Sequence, residues 1–183
     1  MKRLFYSFTV MFLSLNGYCQ KTFVSVGAEV AIPNSLDLKM VAGTGFGGSV
    51  RVESFFTSHL SGIATVGYLL FAERSNTFNS SKFKAALVQA GVKFYAVTKE
   101  ETPKGLFITG EMGLMPTSVH FKYVSNNPDF TFRESGFTIT PGVGYQIGNI
   151  EPSFRLQFNL MAGGFNIYYL NFRLAYAFLN NKK

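Results

Sequence analysis

From residue 22 onward the chain alternates apolar and polar side chains with a period of two, in run after run. Successive side chains of a β-strand point to opposite faces, so each run reads as a strand with one apolar and one polar face. Residues 151–160, EPSFRLQFNL, are the clearest case. Pro152, Phe154, Leu156, Phe158 and Leu160 fall on one set; Glu151, Ser153, Arg155, Gln157 and Asn159 fall on the other. The same pattern predicts strands over Thr22–Ile32, Gly45–Phe56, Leu60–Ala72, Phe83–Ala96, Leu106–Met115, Gly136–Ile147 and Ile167–Phe178. In the Leu60–Ala72 run, Ile63, Leu69 and Phe71 blur the polar face. The three-and-four spacing of an amphipathic helix is missing, which predicts an all-β chain.

The connectors alternate in length. Short ones surround Thr57-Ser58-His59, KEETPKG and Gly148-Asn149; the other side carries Pro33–Gly43, Glu73–Lys82, Pro116–Ser135 and the brief Ala162-Gly163-Gly164. An even number of up-and-down strands with turns on one side and longer loops on the other predicts a meander closed into an eight-stranded barrel.

Charge decides which face points inward. In the polar sets Glu29, Glu53, Glu111 and Glu151 stand against Arg51, Lys93, Arg155 and Arg173. Otherwise those sets are mostly Gly, Ser, Thr, Ala, Gln and Asn. A water-facing exterior would carry far more Lys, Glu and Asp, whereas a narrow lumen needs small side chains and matched charges. The other face is continuous and aromatic, with Phe46, Phe56, Tyr68, Phe94, Phe137, Tyr145, Tyr168 and Phe178. An eight-stranded barrel has no interior room for all of these. They are therefore expected to face outward, into hydrocarbon, which accepts such a belt when the closed sheet pairs every backbone N–H and C=O. The run lengths match the roughly 9 to 11 residues of a tilted membrane strand.

Composition adds an address. MKRLFYSFTVMFLSLNGYCQ carries a basic start at Lys2 and Arg3, an apolar stretch from Leu4 to Leu15, and a Gly17-Tyr18-Cys19 cleavage site. Residues 1–19 are thus expected to be a cleaved secretory signal and 20–183 the barrel domain. Tyr18 is too large for the residue preceding a lipidated cysteine, so Cys19 ranks below simple cleavage as a lipid anchor. Its removal would leave no cysteine for disulfide, nucleophile or metal. The formal charge of +7 is spread along the chain, with no basic stripe of the kind nucleic acid requires. It suits contact with anionic lipid head groups.

With GTGFGGSVRVE, QAGVKFY, TPGVGYQIG and the last strand NFRLAYAF in view, the chain resembles small outer-membrane β-barrels, the group of OmpA transmembrane domains and OmpX, and the porin-like outer-membrane barrel family. That resemblance implies a Gram-negative outer membrane, contact with lipid and lipopolysaccharide, and handling by the outer-membrane assembly machinery. It also makes Leu174, Tyr176 and Phe178 the aromatic-ended assembly signal, although LNNKK follows Phe178.

Candidate chemistry is sparse. GTGFGG sits inside a strand instead of at a strand-to-helix turn, so glycine in a curved strand explains it better than phosphate binding. The two histidines, His59 and His120, fall at opposite barrel ends and cannot form one dyad or metal site. The expectation is therefore a non-enzymatic barrel without cofactor or metal. Its ion-paired lumen comprises Glu29, Arg51, Glu53, Lys93, Glu111, Glu151, Arg155 and Arg173, and its outer loops make surface contacts. Three alternatives stay open: a lipid-modifying enzyme using His120 beside Ser118, Asp129, Arg133 and Glu134; a narrow pore; and a soluble lipocalin-type carrier. Residues 116–135 admit two readings, a loop that contacts a surface partner or an extension of the fifth and sixth strands as a hairpin.

Overall fold

The structure is a computed structural model that describes residues 22–75, 79–96, 104–123, 129–161 and 166–178. The expected signal, Cys19 and the LNNKK tail lie outside the described residues. Eight strands follow one another: β1 (Thr22–Pro33), β2 (Ala42–Phe55), β3 (Leu60–Ser75), β4 (Asn79–Tyr95), β5 (Gly105–Tyr123), β6 (Phe130–Gln146), β7 (Ile150–Met161) and β8 (Asn166–Phe178). Each pairs antiparallel with the next, and β1 pairs with β8, so the sheet closes into a barrel without a free edge.

The alternation is realised residue by residue. On β7, Phe154, Leu156, Phe158 and Leu160 are exposed, while Ser153, Arg155, Gln157 and Asn159 are buried. All eight large aromatics assigned to the outer face are indeed exposed. Among the described residues no helix is long and apolar enough to cross a membrane, which says nothing about crossing with strands.

Three differences from the sequence reading have physical causes. First, residues 116–123 and 130–135 are strand: the β5–β6 ladder runs on without a slip from Leu114 opposite Phe137 to Phe121 opposite Phe130. Here the hairpin reading holds, because Val119, Phe121, Phe130 and Phe132 are β-favouring residues in alternating positions. Strands β3 and β4 likewise extend past their expected ends, to Ser75 and from Asn79, across a register shift between Leu70 and Arg74. Second, the connector after β1 contains a six-residue helix, α1 (Leu36–Val41), with Leu38 driven fully into the barrel mouth.

Third, the inner face is not uniformly polar. At the turn end Phe23, Phe55, Tyr95 and Phe107 form an apolar cluster, with neighbouring ring centroids 5.5, 5.7 and 5.6 Å apart. At the loop end Leu69, Phe71, Phe83, Leu87, Met115 and Tyr169 pack beneath Leu38. The residues that blurred the third run are thus interior packing. Glycine makes room for them: a Cβ on Gly144, directly opposite Phe107, would collide with that ring, and one on Gly45 would lie 2.9 Å from the ring of Phe71.

Prolines interrupt the ladder but not its register. Pro116 and Pro141 lie within strands, and the β4–β5 and β6–β7 pairings skip there before resuming in the same frame. Each lacks the N–H that the missing rung would use.

Candidate functional site: the ionic lumen

Between the two apolar plugs lies a charged layer. Strands β1, β2, β4, β5, β7 and β8 each contribute inward residues, and the register brings all eight predicted lumen charges together. The β1–β8 pairing sets Glu29 opposite Arg173, and β2 presents Arg51 and Glu53 two residues apart on one face. All eight are buried.

Glu151 is the hub for cations. Its Oε1 accepts from Arg51 Nη1 and Arg173 Nη1, both at 3.0 Å, and its Oε2 accepts from Lys93 Nζ at 2.6 Å. Arg51 also donates from Nη2 to Glu111 Oε1 at 2.7 Å and from Nε to Thr65 Oγ1 at 3.1 Å. Thr65 in turn donates to Glu111 Oε2 at 2.6 Å. Glu29 accepts from Arg155 Nη2 at 2.5 Å and from Asn171 Nδ2 at 2.7 Å. Arg173 is anchored by Ser49 Oγ at 2.9 Å and Ser25 Oγ at 3.0 Å.

Lys93 joins the charged layer to the turn-end plug. It donates to Glu53 Oε2 at 3.0 Å and sits 4.0 Å from the ring centroid of Phe107 and 4.7 Å from that of Tyr95. Tyr95 and Ser61 both donate to Glu53 Oε1, at 3.1 and 2.6 Å. An ammonium over two ring faces is favoured by their quadrupoles, more so when desolvated. The neutral partners Thr65, Ser61, Asn171, Ser49 and Ser25 were not singled out by sequence reasoning. Their only signal was membership of the polar set, because a neutral hydroxyl or amide carries no charge to match.

Desolvating four acids and four bases costs several kcal/mol per ion unless each finds opposite charge and hydrogen bonds. The network supplies both for most of its atoms. On β7, Ser153 Oγ, Arg155 Nε and Nη1, Gln157 Oε1 and Asn159 Oδ1 are buried without a protein hydrogen bond, as are Asn171 Oδ1 on β8 and Gln89 Oε1 on β4.

The other predicted residues lie elsewhere. Leu174, Tyr176 and Phe178 face outward from β8. His120 lies in the extended hairpin, with Nδ1 2.9 Å from Thr131 Oγ1 and Nε2 3.7 Å from an Asp129 carboxylate oxygen. Its ring nitrogens therefore address Thr131 and Asp129, and Ser118 stands two residues away in the row of Lys84 and Arg133. His59 is at the turn end, where Nδ1 lies 2.9 Å from Ser58 Oγ and the ring stacks on Phe94. Among the described residues no group of three His, Cys, Asp or Glu side chains is placed to hold a metal.

No family model and no curated protein sequence matches the chain. Solved structures do. The attachment invasion locus protein Ail of Yersinia pestis is similar at 12% identity, over 86% of this chain and 97% of Ail, with a TM-score of 0.63. The N-terminal β-barrel domain of Pseudomonas aeruginosa OprF is 14% identical over 85% of this chain and 97% of the domain, with a TM-score of 0.58. OprG, an outer-membrane protein of the same organism, is 9% identical over 88% of this chain and 98% of its own, with a TM-score of 0.52. At these identities the likeness is one of architecture: the chain has the closed eight-stranded fold of small outer-membrane β-barrels.

Proposed function

We propose that the protein is a non-enzymatic integral barrel of a Gram-negative outer membrane, with a sealed, ion-paired lumen and a surface-interaction role carried by its loop end. The observation that carries this reading is the inversion of an ordinary protein. Arg51, Arg155 and Arg173 are among the most buried side chains, whereas Phe154, Phe158 and Leu160 are roughly half exposed. Water would not tolerate that belt, and the closed ladder supplies the backbone pairing that hydrocarbon demands. A lipocalin-type carrier needs the opposite orientation.

A plugged interior is favoured over a pore. The charged layer is cross-linked from several strands and capped by apolar clusters at both ends, and eight strands leave little space for water. The lipid-modifying alternative has less support, since the expected Ser118 is not among the described contacts of His120, whose ring nitrogens face the Thr131 hydroxyl and Asp129.

Surface contact is best supported on the outward face of the β4–β6 extension. Lys84, Ser118 and Arg133 form one cross-strand row and Lys82, His120 and Thr131 the next, directly beyond the apolar belt. Cations at that height suit the phosphates of lipopolysaccharide. The outward Leu174, Tyr176 and Phe178 fit a strand presented to the assembly machinery.

Three measurements test this reading. Purified mature protein is expected to require detergent, to migrate differently on gels when folded and when boiled, and to give no steady current in planar bilayers. Solubility in plain buffer would overturn the membrane assignment, and sustained conductance would overturn the sealed lumen.

A further inference from the structure

At the loop end, inside the barrel mouth, lies a cleft of about 230 Å³. Leu38, Phe83 and Met161 line it as buried side chains, whereas Met40 and Phe132, which also line it, are 70% and 43% exposed. Both walls are held from outside the cleft. α1 is pinned ahead of its first turn, where the N–H groups of Asn34 and Ser35 donate to Tyr168 O at 3.1 and 3.0 Å. It is pinned again at its end, where Ser81 Oγ donates to Val41 O at 2.6 Å. The facing wall is the unbroken β5–β6 ladder, on which Thr117 Oγ1 donates to Glu134 O at 3.0 Å. Pinned walls make a preformed site, and the exposed apolar surface of Met40 and Phe132 is what an occupant would cover.

We infer that this cleft binds a neutral aromatic molecule of at most two fused rings, carrying one N–H or O–H donor. The lining sets the class. Three aromatic rings, Phe83, Phe121 and Phe132, and two thioethers, Met40 and Met161, surround the space. Rings pack edge to face with other rings, and methionine sulfur favours ring edges, so an aromatic guest gains contacts that a plain alkyl chain does not. A charged guest of either sign would lose hydration against the apolar lining. The volume sets the size. A cavity of roughly 150 Å³ accepts benzene, so this one takes a somewhat larger ring system, and a long acyl chain would leave most of its length outside. Carboxylates set the orientation. Asp37 on α1 and Glu134 on β6 both line the cleft. A carboxylate has several acceptor positions, so either can take one more N–H or O–H whatever else it holds. The site goes beyond the structural and surface role proposed above and does not require conductance.

The test uses the mature protein in nanodiscs of zwitterionic lipid, with methionine methyl groups carbon-13 labelled. Indole is the probe, and 1-methylindole is the comparator that keeps the rings and lacks the donor. Indole is expected to shift the Met161 and Met40 resonances saturably while leaving Met112, on the outer belt, unmoved. 1-Methylindole is expected to bind about three- to fivefold more weakly, as befits one partly exposed hydrogen bond to a carboxylate. Val119→Trp, on the cleft wall, fills the space and is expected to weaken indole binding at least about tenfold, read at Met161. Folding is checked by heat-modifiable migration. Should that variant misfold, Met40→Trp alters only an exposed helix residue and blocks the cleft from its rim. Unchanged indole affinity in a folded blocking variant would overturn the inference. So would equal affinity for 1-methylindole, or a parallel shift at Met112, which would report simple partition into lipid.

Discussion

At the scale of single residues, the buried charges and the interior glycines carry the sharpest expectations. Glu151 holds three cations in a dry layer. Removing it in Glu151→Ala leaves Arg51, Arg173 and Lys93 short of charge, and the expected loss is about 3 to 5 kcal/mol by urea unfolding in micelles. Breaking Lys82 with Glu73, a pair at 3.3 Å whose side chains are well exposed, is expected to cost under about 1 kcal/mol in the same assay. Equal costs would mean that the inner layer is hydrated. Gly144 makes a separate prediction. Gly144→Ala drives a methyl into the Phe107 ring and should destabilise the barrel, and the smaller Phe107→Leu ring replacement should recover part of the loss. Additive losses would show that the two positions do not share one packing contact.

Among elements, the strands differ in what their sequences reveal. Strand β7 was readable because its two sets are chemically pure. β3 was read as a strand from a weaker pattern, because Ile63, Leu69 and Phe71 face inward and blur the contrast that a period of two depends on. The ends of strands were the weakest point: Val119, Phe121 and Phe132 alternate well enough for strand, yet nothing local states whether two such stretches pair beyond the membrane. Six residues of α1 are too few to show a helical period, and their placement depends on Leu38 filling the mouth. The eight lumen charges were legible because charge is scarce on these strands. An element-scale expectation follows from the hairpin. Replacing residues 118–133 by a short turn between Thr117 and Glu134 should leave a heat-modifiable barrel, since the belt and the charged layer lie on the other side of that cut. Loss of folding would make the extension part of the core.

For the whole molecule, the order of layers matters more than any one contact. Aromatic plug, ionic layer and apolar plug succeed one another along the axis, so a leak requires at least two of them to fail. Phe107→Ala is expected to leave bilayers silent on its own. A charged probe on the belt tests orientation directly: Phe158→Arg should destabilise the folded barrel by about 2 to 4 kcal/mol if that position lies near the bilayer midplane. A soluble barrel would tolerate it.

The seam between β1 and β8 sets Val24 opposite Phe178, side by side at one end of the cylinder. Across that seam Asn171 holds Glu29, 142 positions away in the chain. The first strand to be synthesised therefore waits for the last before its outer hydrogen bonds are satisfied, and closure is a late, long-range event. Because the two ends of the strand circuit lie together, the covalent order is incidental to the architecture. A circular permutant joined across the seam and reopened at Gly148-Asn149 should fold to the same cylinder, with a different pair of strands meeting last.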